Sequence, residues 1–203
     1  ILLSPLTDSH PQVRRHALLL SESLLDSSKE LLSKTLDLAA DADPMVQFQL
    51  ALTLGESKDS RATQAIAESI MRNSGQRDIV DAALTSVGTR AGAVLKHLLS
   101  NQAWLASDDS QTVLAAIVGQ IVRQRRPTDL TVLLEQLNAA ETGSHGIGAG
   151  AFLKALSDVP ADALVQADSP QLAELNRLRA SAAAALVEEA RRILADDSGP
   201  LDV

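Results

Sequence analysis

Asp41-Ala-Asp-Pro-Met-Val-Gln-Phe-Gln-Leu-Ala-Leu-Thr-Leu-Gly-Glu56 decides how this chain is read, because its pattern recurs at a fixed step on both sides. Sliding back by 33 positions lays it on Asp8-Ser-His-Pro-Gln-Val-Arg-Arg-His-Ala-Leu-Leu-Leu-Ser-Glu22, pairing Asp8 with Asp41, Pro11 with Pro44 and Val13 with Val46. The same step forward pairs Val46 with Ile79, Leu50 with Ala83 and Ala51 with Leu84. A period of this length marks a solenoid, in which each helical hairpin buries its apolar face only against its neighbours.

Working outward, Asp8 or Ser9 is placed to cap a first helix whose opening turn holds Pro11, where a missing N–H costs nothing. Val13, Ala17, Leu20 and Leu24 form one apolar stripe on it. A second helix starts near Ser28, with Leu31, Leu32, Thr35, Leu38 and Ala39 inward. The quoted stretch repeats the plan with Asp43 as cap, Val46, Leu50 and Leu54 inward, and Gly55 as a left-handed stop. Its partner runs from about Ser60 to Arg72, burying Ala62, Ile66, Ala67 and Ile70, and ends at Asn73-Ser74-Gly75. A third pair covers about Arg77 to Val87 and Arg90 to Ser100, with Gly88 between.

Trp104 and Leu105 follow in a short segment, and Ser107-Asp108-Asp109-Ser110 opens a fourth pair. Its first helix carries Val113, Ala116, Ile117 and Ile121 and ends at Arg126-Pro127, since a residue before proline leaves the helical region. Its second, about Asp129 to Ala139, carries Leu130, Leu133, Leu134 and Leu137. Residues 141–148 read as a loop, Gly150 to Ser157 as a short helix reaching Pro160, and Pro170 to about Ala195 as the longest helix. Leu172, Leu175, Leu178, Ala182, Leu186 and Ile193 stripe that helix, and Glu188 and Arg192 form an i,i+4 pair on it. The expectation is one all-α domain over 1–203, a right-handed α-α superhelix (solenoid) of about five or six helical hairpins. Regular repeats occupy 5–140, and a less regular hairpin and terminal helix occupy 146–195. Residues 196–203 repeat the Asp, Pro and Val opening as a linker or the start of another unit.

Composition agrees. Apolar residues are 45% of the 203, almost all Leu, Ala, Val and Ile, with one Trp, two Phe and no Tyr, which favours helices over strands. A net charge of −8 argues against a general nucleic-acid or anionic-membrane surface, which needs a cationic face. With no cysteine, the segment has no disulfide, thiolate metal site, covalent haem attachment or cysteine nucleophile. No apolar run approaches a membrane span, and no signal-peptide pattern is read in these residues. Ile1 opens inside an apolar stretch, which suggests a segment of a longer polypeptide.

Ankyrin units would carry a Thr-Pro-Leu-His turn and tetratricopeptide units spaced aromatics, and this chain has neither. The Asp, Pro, Val, Leu and Gly-Glu pattern is similar to short HEAT-type repeats, with the usual Arg after Val present as Arg14 and replaced by Gln47. More narrowly, Ser9-His-Pro-Gln-Val-Arg-Arg-His-Ala17 with Asp43-Pro-Met-Val-Gln-Phe-Gln-Leu-Ala-Leu-Thr-Leu-Gly-Glu56 resembles the HEAT region of large planctomycete-type secreted, membrane-bound dehydrogenase-like proteins. The likeness is best over residues 5 to 100. In those proteins a propeller domain similar to sugar dehydrogenases precedes the HEAT region and a c-type cytochrome domain with a Cys-x-x-Cys-His haem motif follows. The resemblance implies a periplasmic or cell-envelope setting and a spacer and docking role for this segment, with haem c elsewhere in the parent.

Several residues have the chemistry of a site, and each also has a plainer role. His10, His16, His97 and His145 include no pair at the i,i+4 spacing of a His-Glu-x-x-His metal site. Asp8-Ser9-His10 has the residue types of a catalytic triad, but adjacent residues cannot reach its geometry, so capping is the better role. Gly143-Ser-His-Gly-Ile-Gly-Ala-Gly150 places closely spaced glycines before a helix and could in principle cradle a phosphate, but a dinucleotide fingerprint needs a preceding strand, none is read there, and an inter-helix loop is the better role. Asp108-Asp109 and Asp196-Asp197 suit helix starts or a linker. Arg123, Arg125 and Arg126 suit a helix C-terminus, and Arg14 and Arg15 a solvated or partner-facing surface. Trp104 reads as a packing anchor between repeats rather than an interface hot spot.

No catalytic, cofactor-binding or metal-binding residue is expected. The leading reading is a non-catalytic HEAT-repeat scaffold or spacer module of a dehydrogenase-like c-type cytochrome protein, with neighbouring domains or a protein partner as its contacts. The alternatives are a free-standing protein-interaction scaffold and, from another class, a HEAT-type nucleic-acid enzyme.

Overall fold

The computed structural model describes residues 2–141, 154–160 and 170–180, and among these the ordered elements are all helical, with no strand. The expected loop at 141–148, the helix start at 150–153, the terminal helix beyond 180 and the 196–203 tail lie outside the described residues, Glu141 excepted. The chain forms two compact units, Ile1–Trp104 and Leu105–Val203.

In the first unit the helices are α1 (Pro11–Ser21), α2 (Lys29–Asp37), α3 (Pro44–Thr53), α4 (Ser60–Arg72), α5 (Arg77–Ser86) and α6 (Ala91–Leu99). The short α7 (Gln102–Leu105) follows and carries Trp104. Local chemistry sets the starts. Asp43 Oδ1 accepts from the N–H groups of Met45 and Val46, Ser28 Oγ from Leu31 and Asp59 Oδ1 from Arg61. Pro11 and Pro44 each occupy a first helical turn, as the aligned pattern requires.

The first cap differs from expectation. His10 is the N-cap of α1, its Nδ1 accepting from Gln12 N at 3.2 Å, while Asp8 Oδ1 accepts from His10 N at 2.7 Å. Asp8 thus fixes the turn one step earlier, as Asp41 does for Asp43 N at 2.9 Å.

Packing follows the period. α1 lies against α3, α3 against α5, and α4 against both α5 and α6. The interior is aliphatic, with Leu18, Leu25 and Leu32 from the first repeat, Val46, Leu50, Leu54, Ala62, Ile66, Ala67 and Ile70 from the second, and Ala83, Val87, Val94, Leu95 and Leu98 from the third. The stripe expected on α1 is only partly inside. Ala17 is buried, but Val13, Leu20 and Leu24 are exposed, and Leu18, Ser21 and Leu25 take the inward positions. α1 carries apolar residues on two faces, and α3 covers one of them.

Gly55 is not in a left-handed conformation; among the described residues Gly88, at φ 51°, is the glycine that is. What Gly55 needs is space. A Cβ there would stand 2.9 Å from Ser86 Oγ and 3.2 Å from Ser86 Cα, so the turn after α3 lies close against α5 because position 55 has no side chain. We expect Gly55→Ala to destabilise this unit by about 1–3 kcal/mol through overpacking. Gly75→Ala meets open space and should change stability by no more than about 0.5 kcal/mol. Chemical denaturation of the two variants side by side checks this.

In the second unit α8 (Asp108–Gln124) buries Val113, Leu114, Ile117, Val118, Ile121 and Val122, and α9 (Pro127–Glu141) buries Leu130, Leu133 and Leu137. Ala116 and Leu134, expected inward, are half-buried. Arg125 at φ 51° turns the chain between them and Pro127 opens α9, so the break falls at the expected place. Residues 154–157 are helical, with Ala155 and Leu156 buried, and residues 170–180 are helical with Leu172, Leu175 and Leu178 buried.

Candidate functional site

Two ladders of polar contacts cross the first unit, and both step by the repeat length. In the first, Arg14 lays its guanidinium on Asp41, Nε at 2.6 Å from Oδ2 and Nη2 at 2.7 Å from Oδ1, while Nη1 donates to the carbonyls of Asp8 and Ser9. The fork holds the Asp41 carboxyl below the usual carboxylate range, against the opposing effect of burial. Gln47, 33 residues after Arg14, does the same work without charge. Its Nε2 donates to Asp41 O at 2.6 Å and Ala39 O at 3.2 Å, and its Oε1 accepts from Asn73 Nδ2. One step on, Ser74 stands where Asp8 and Asp41 stood, and its Oγ accepts from Trp104 Nε1 at 2.9 Å.

The second ladder joins the other ends of these helices. Thr53 Oγ1 and Gln49 Nε2 donate to Glu22 Oε1, and Ser57 Oγ and Lys58 N donate to Asp26 Oδ1. One repeat later Ser86 Oγ donates to Leu52 O, and Arg90 donates to the carbonyls of Leu54, Gly55 and Ser57. Burial lowers the Arg90 guanidinium from its ordinary value, opposed by the Asp26 and Glu56 carboxylates.

Between α3 and α5 lies a groove of about 840 Å³. Met45, Phe48 and Leu52, spaced i, i+3 and i+7 on α3, form its apolar wall; Ile79 and Ala82 lie beneath, and Asp78 and Asp81 stand on the α5 rim. Arg77 pairs with Asp81 at 3.6 Å, both side chains well exposed. Such a groove offers contact area and orientation to a chain segment.

The sequence candidates fall elsewhere. His16 is exposed on α1, its Nδ1 2.7 Å from Gln12 O, and His97 is exposed on α6 beside a hollow with Glu68 and Met71. His145, Gly143–Gly150 and Asp196-Asp197 lie outside the described residues. Asp8 and His10 meet only through a backbone N–H, and Asp108 and Asp109 sit in the first turn of α8. Arg126 lies 3.4 Å from Asp129, and Arg123 lies over Gly119. Arg14 is spent on the ladder, and Trp104 is buried against Ser74 within the first unit. Among the described residues no cluster of three or more His, Asp or Glu is arranged to hold a metal, and no helix is long and apolar enough to cross a membrane.

The groove is not among the sequence candidates. Its signal is present in α3 and the turn after it, where Val46, Leu50 and Leu54 face one way and Met45, Phe48 and Leu52 another. The chain matches no protein family, no curated protein and no solved structure.

Proposed function

We propose that the chain is a non-catalytic, HEAT-like scaffold and spacer module of a larger protein, of the dehydrogenase-like c-type cytochrome kind that its sequence resembles. One observation carries the solenoid part of this reading. Residues 33 apart hold equivalent positions in successive repeats, Arg14 with Gln47, Thr53 with Ser86 and Ser57 with Arg90, as expected when like units stack on like. Helical pairs locked by such ladders keep a fixed spacing, which suits a module that separates and orients neighbouring domains. Redox chemistry then belongs to those neighbours.

The test is to recover the native polypeptide with an antibody raised against this segment and record its intact mass and visible spectrum. A mass several times that of this chain, with a reducible haem band, is the expected result. A mass near this chain's own, with no chromophore, overturns the parent-protein reading. The α3–α5 groove favours a second reading, a free-standing scaffold that binds a protein segment along Met45, Phe48 and Leu52.

A further inference from the structure

Four positions on the free side of α1 have counterparts in the next two repeats. Val13, His16, Leu20 and Leu24 correspond to Val46, Gln49, Thr53 and Ser57, and then to Ile79, Ala82, Ser86 and Arg90. In the second and third repeats this face is covered by the preceding one. Val46 and Ile79 are 0% and 4% exposed, Thr53 and Ser86 are 0% and 8%, and Ser57 is 2%. Their hydrogen bonds name the cover, since Thr53 and Ser57 reach back to Glu22 and Asp26, while Ser86 and Arg90 reach back to Leu52, Leu54 and Gly55.

In the first repeat the same face is open. Val13 is 38%, Leu20 64% and Leu24 44% exposed, and His16 is exposed beside them. Leu2, Pro5, Val13, Ala17 and Leu20 border a hollow of about 370 Å³ on this side.

We propose that this face of α1 is the docking face for a helix of a further helical hairpin, lying N-terminal to α1 in the parent polypeptide and stacked on α1 as α1 is on α3. The inference rests on the module reading above. Continuity with the α1–α3 and α3–α5 contacts gives the docking mode, and the residues at the four positions give the occupant's chemistry. Thr53 and Ser57 answer carboxylates in the turn that follows α1, whereas Leu20 and Leu24 stand in their places and can satisfy none. The docking helix and the turn after it therefore carry apolar residues where Glu22 and Asp26 follow α1. The stripe itself bears no Asp, Glu, Lys or Arg in a chain of net charge −8, so the contact is apolar at its centre.

The experiment places a photocrosslinker in the parent polypeptide as Leu20→p-benzoylphenylalanine and maps the product by mass spectrometry. A crosslink to a helical segment N-terminal to Ile1 in the same polypeptide is expected. A crosslink to a second copy or to another protein, or none with the helical spectrum intact, overturns the inference. A companion pair guards against misfolding. Leu20→Glu should lower the Tm of the parent by several degrees while Leu19→Glu, exposed off the stripe, leaves it in place; equal effects overturn the inference. Intact mass separates the two failures. A polypeptide no larger than this chain refutes the module reading, and a larger one crosslinked elsewhere refutes only the docking face.

Discussion

Trp104→Ala is expected to lower the stability of the first unit by about 3–5 kcal/mol, the cost of emptying a buried aromatic site. Trp104 is the sole tryptophan and is 7% exposed. Its backbone N–H is held by Asn101 Oδ1 at 3.0 Å, and its indole N–H reaches Ser74 Oγ, the residue aligned with Asp8 and Asp41. The ring therefore closes the first ladder at the third repeat, where Val80 stands at the position of Arg14 and Gln47 and has no polar group to offer. Trp104→Phe keeps most of the volume and loses one hydrogen bond, so it should cost about 1 kcal/mol plus a smaller packing term. Unfolding followed by circular dichroism measures both, because either variant removes the fluorophore. Equal, small losses would mean that the indole is not an anchor.

Asp41→Ala should cost about 3 kcal/mol at neutral pH, since it strands the Arg14 guanidinium in a largely enclosed position. Arg14→Lys should recover little, because an ammonium cannot make the two parallel bonds of the fork. The pH dependence has a definite sign. The folded-state pKa of Asp41 is depressed, so the pair's contribution is fully present above the unfolded carboxyl value of about 4. It is lost as pH falls below that value towards the depressed one. The stability gap between wild type and Asp41→Ala should therefore be constant from pH 7 to about 5 and shrink below about pH 4. Denaturant titrations across that range, with an Arg14 and Asp41 double-mutant cycle, check it. A gap that closes near neutrality would show that another group is responsible.

How much of this was legible depended on which force fixed each feature. The helices and their limits could be read because Asp43, Ser28, Pro11, Pro44 and Asn73 act locally, through caps and fixed φ. The inward residues of α4 could be read because Ala62, Ile66, Ala67 and Ile70 lie on one face whose opposite side is polar. α1 and α3 were harder, since both are apolar on two faces, and periodicity cannot tell which face a neighbour covers. Periodicity therefore points Leu20 and Leu24 inward and does not single out the Met45, Phe48 and Leu52 wall. Gln47 looked like a departure from the repeat, yet it keeps Arg14's place because an amide can donate to the same carbonyl. Gly55 looks like a helix stop in the sequence, which shows its missing side chain and not the Ser86 that passes beside it.

α1, α3 and α5 lie side by side, each one repeat step from the next. The chain has no cysteine, so single spin labels can be placed at will. Gln12→Cys, Met45→Cys and Asp78→Cys are equivalent exposed positions in the three helices. Packed helix axes stand about 8–10 Å apart, so electron paramagnetic resonance should find the 12/45 and 45/78 pairs equally spaced near that value, before label linkers broaden it, and the 12/78 pair about twice as far. Unequal single steps, or a 12/78 distance no longer than one step, would contradict a stack built on the 33-residue repeat.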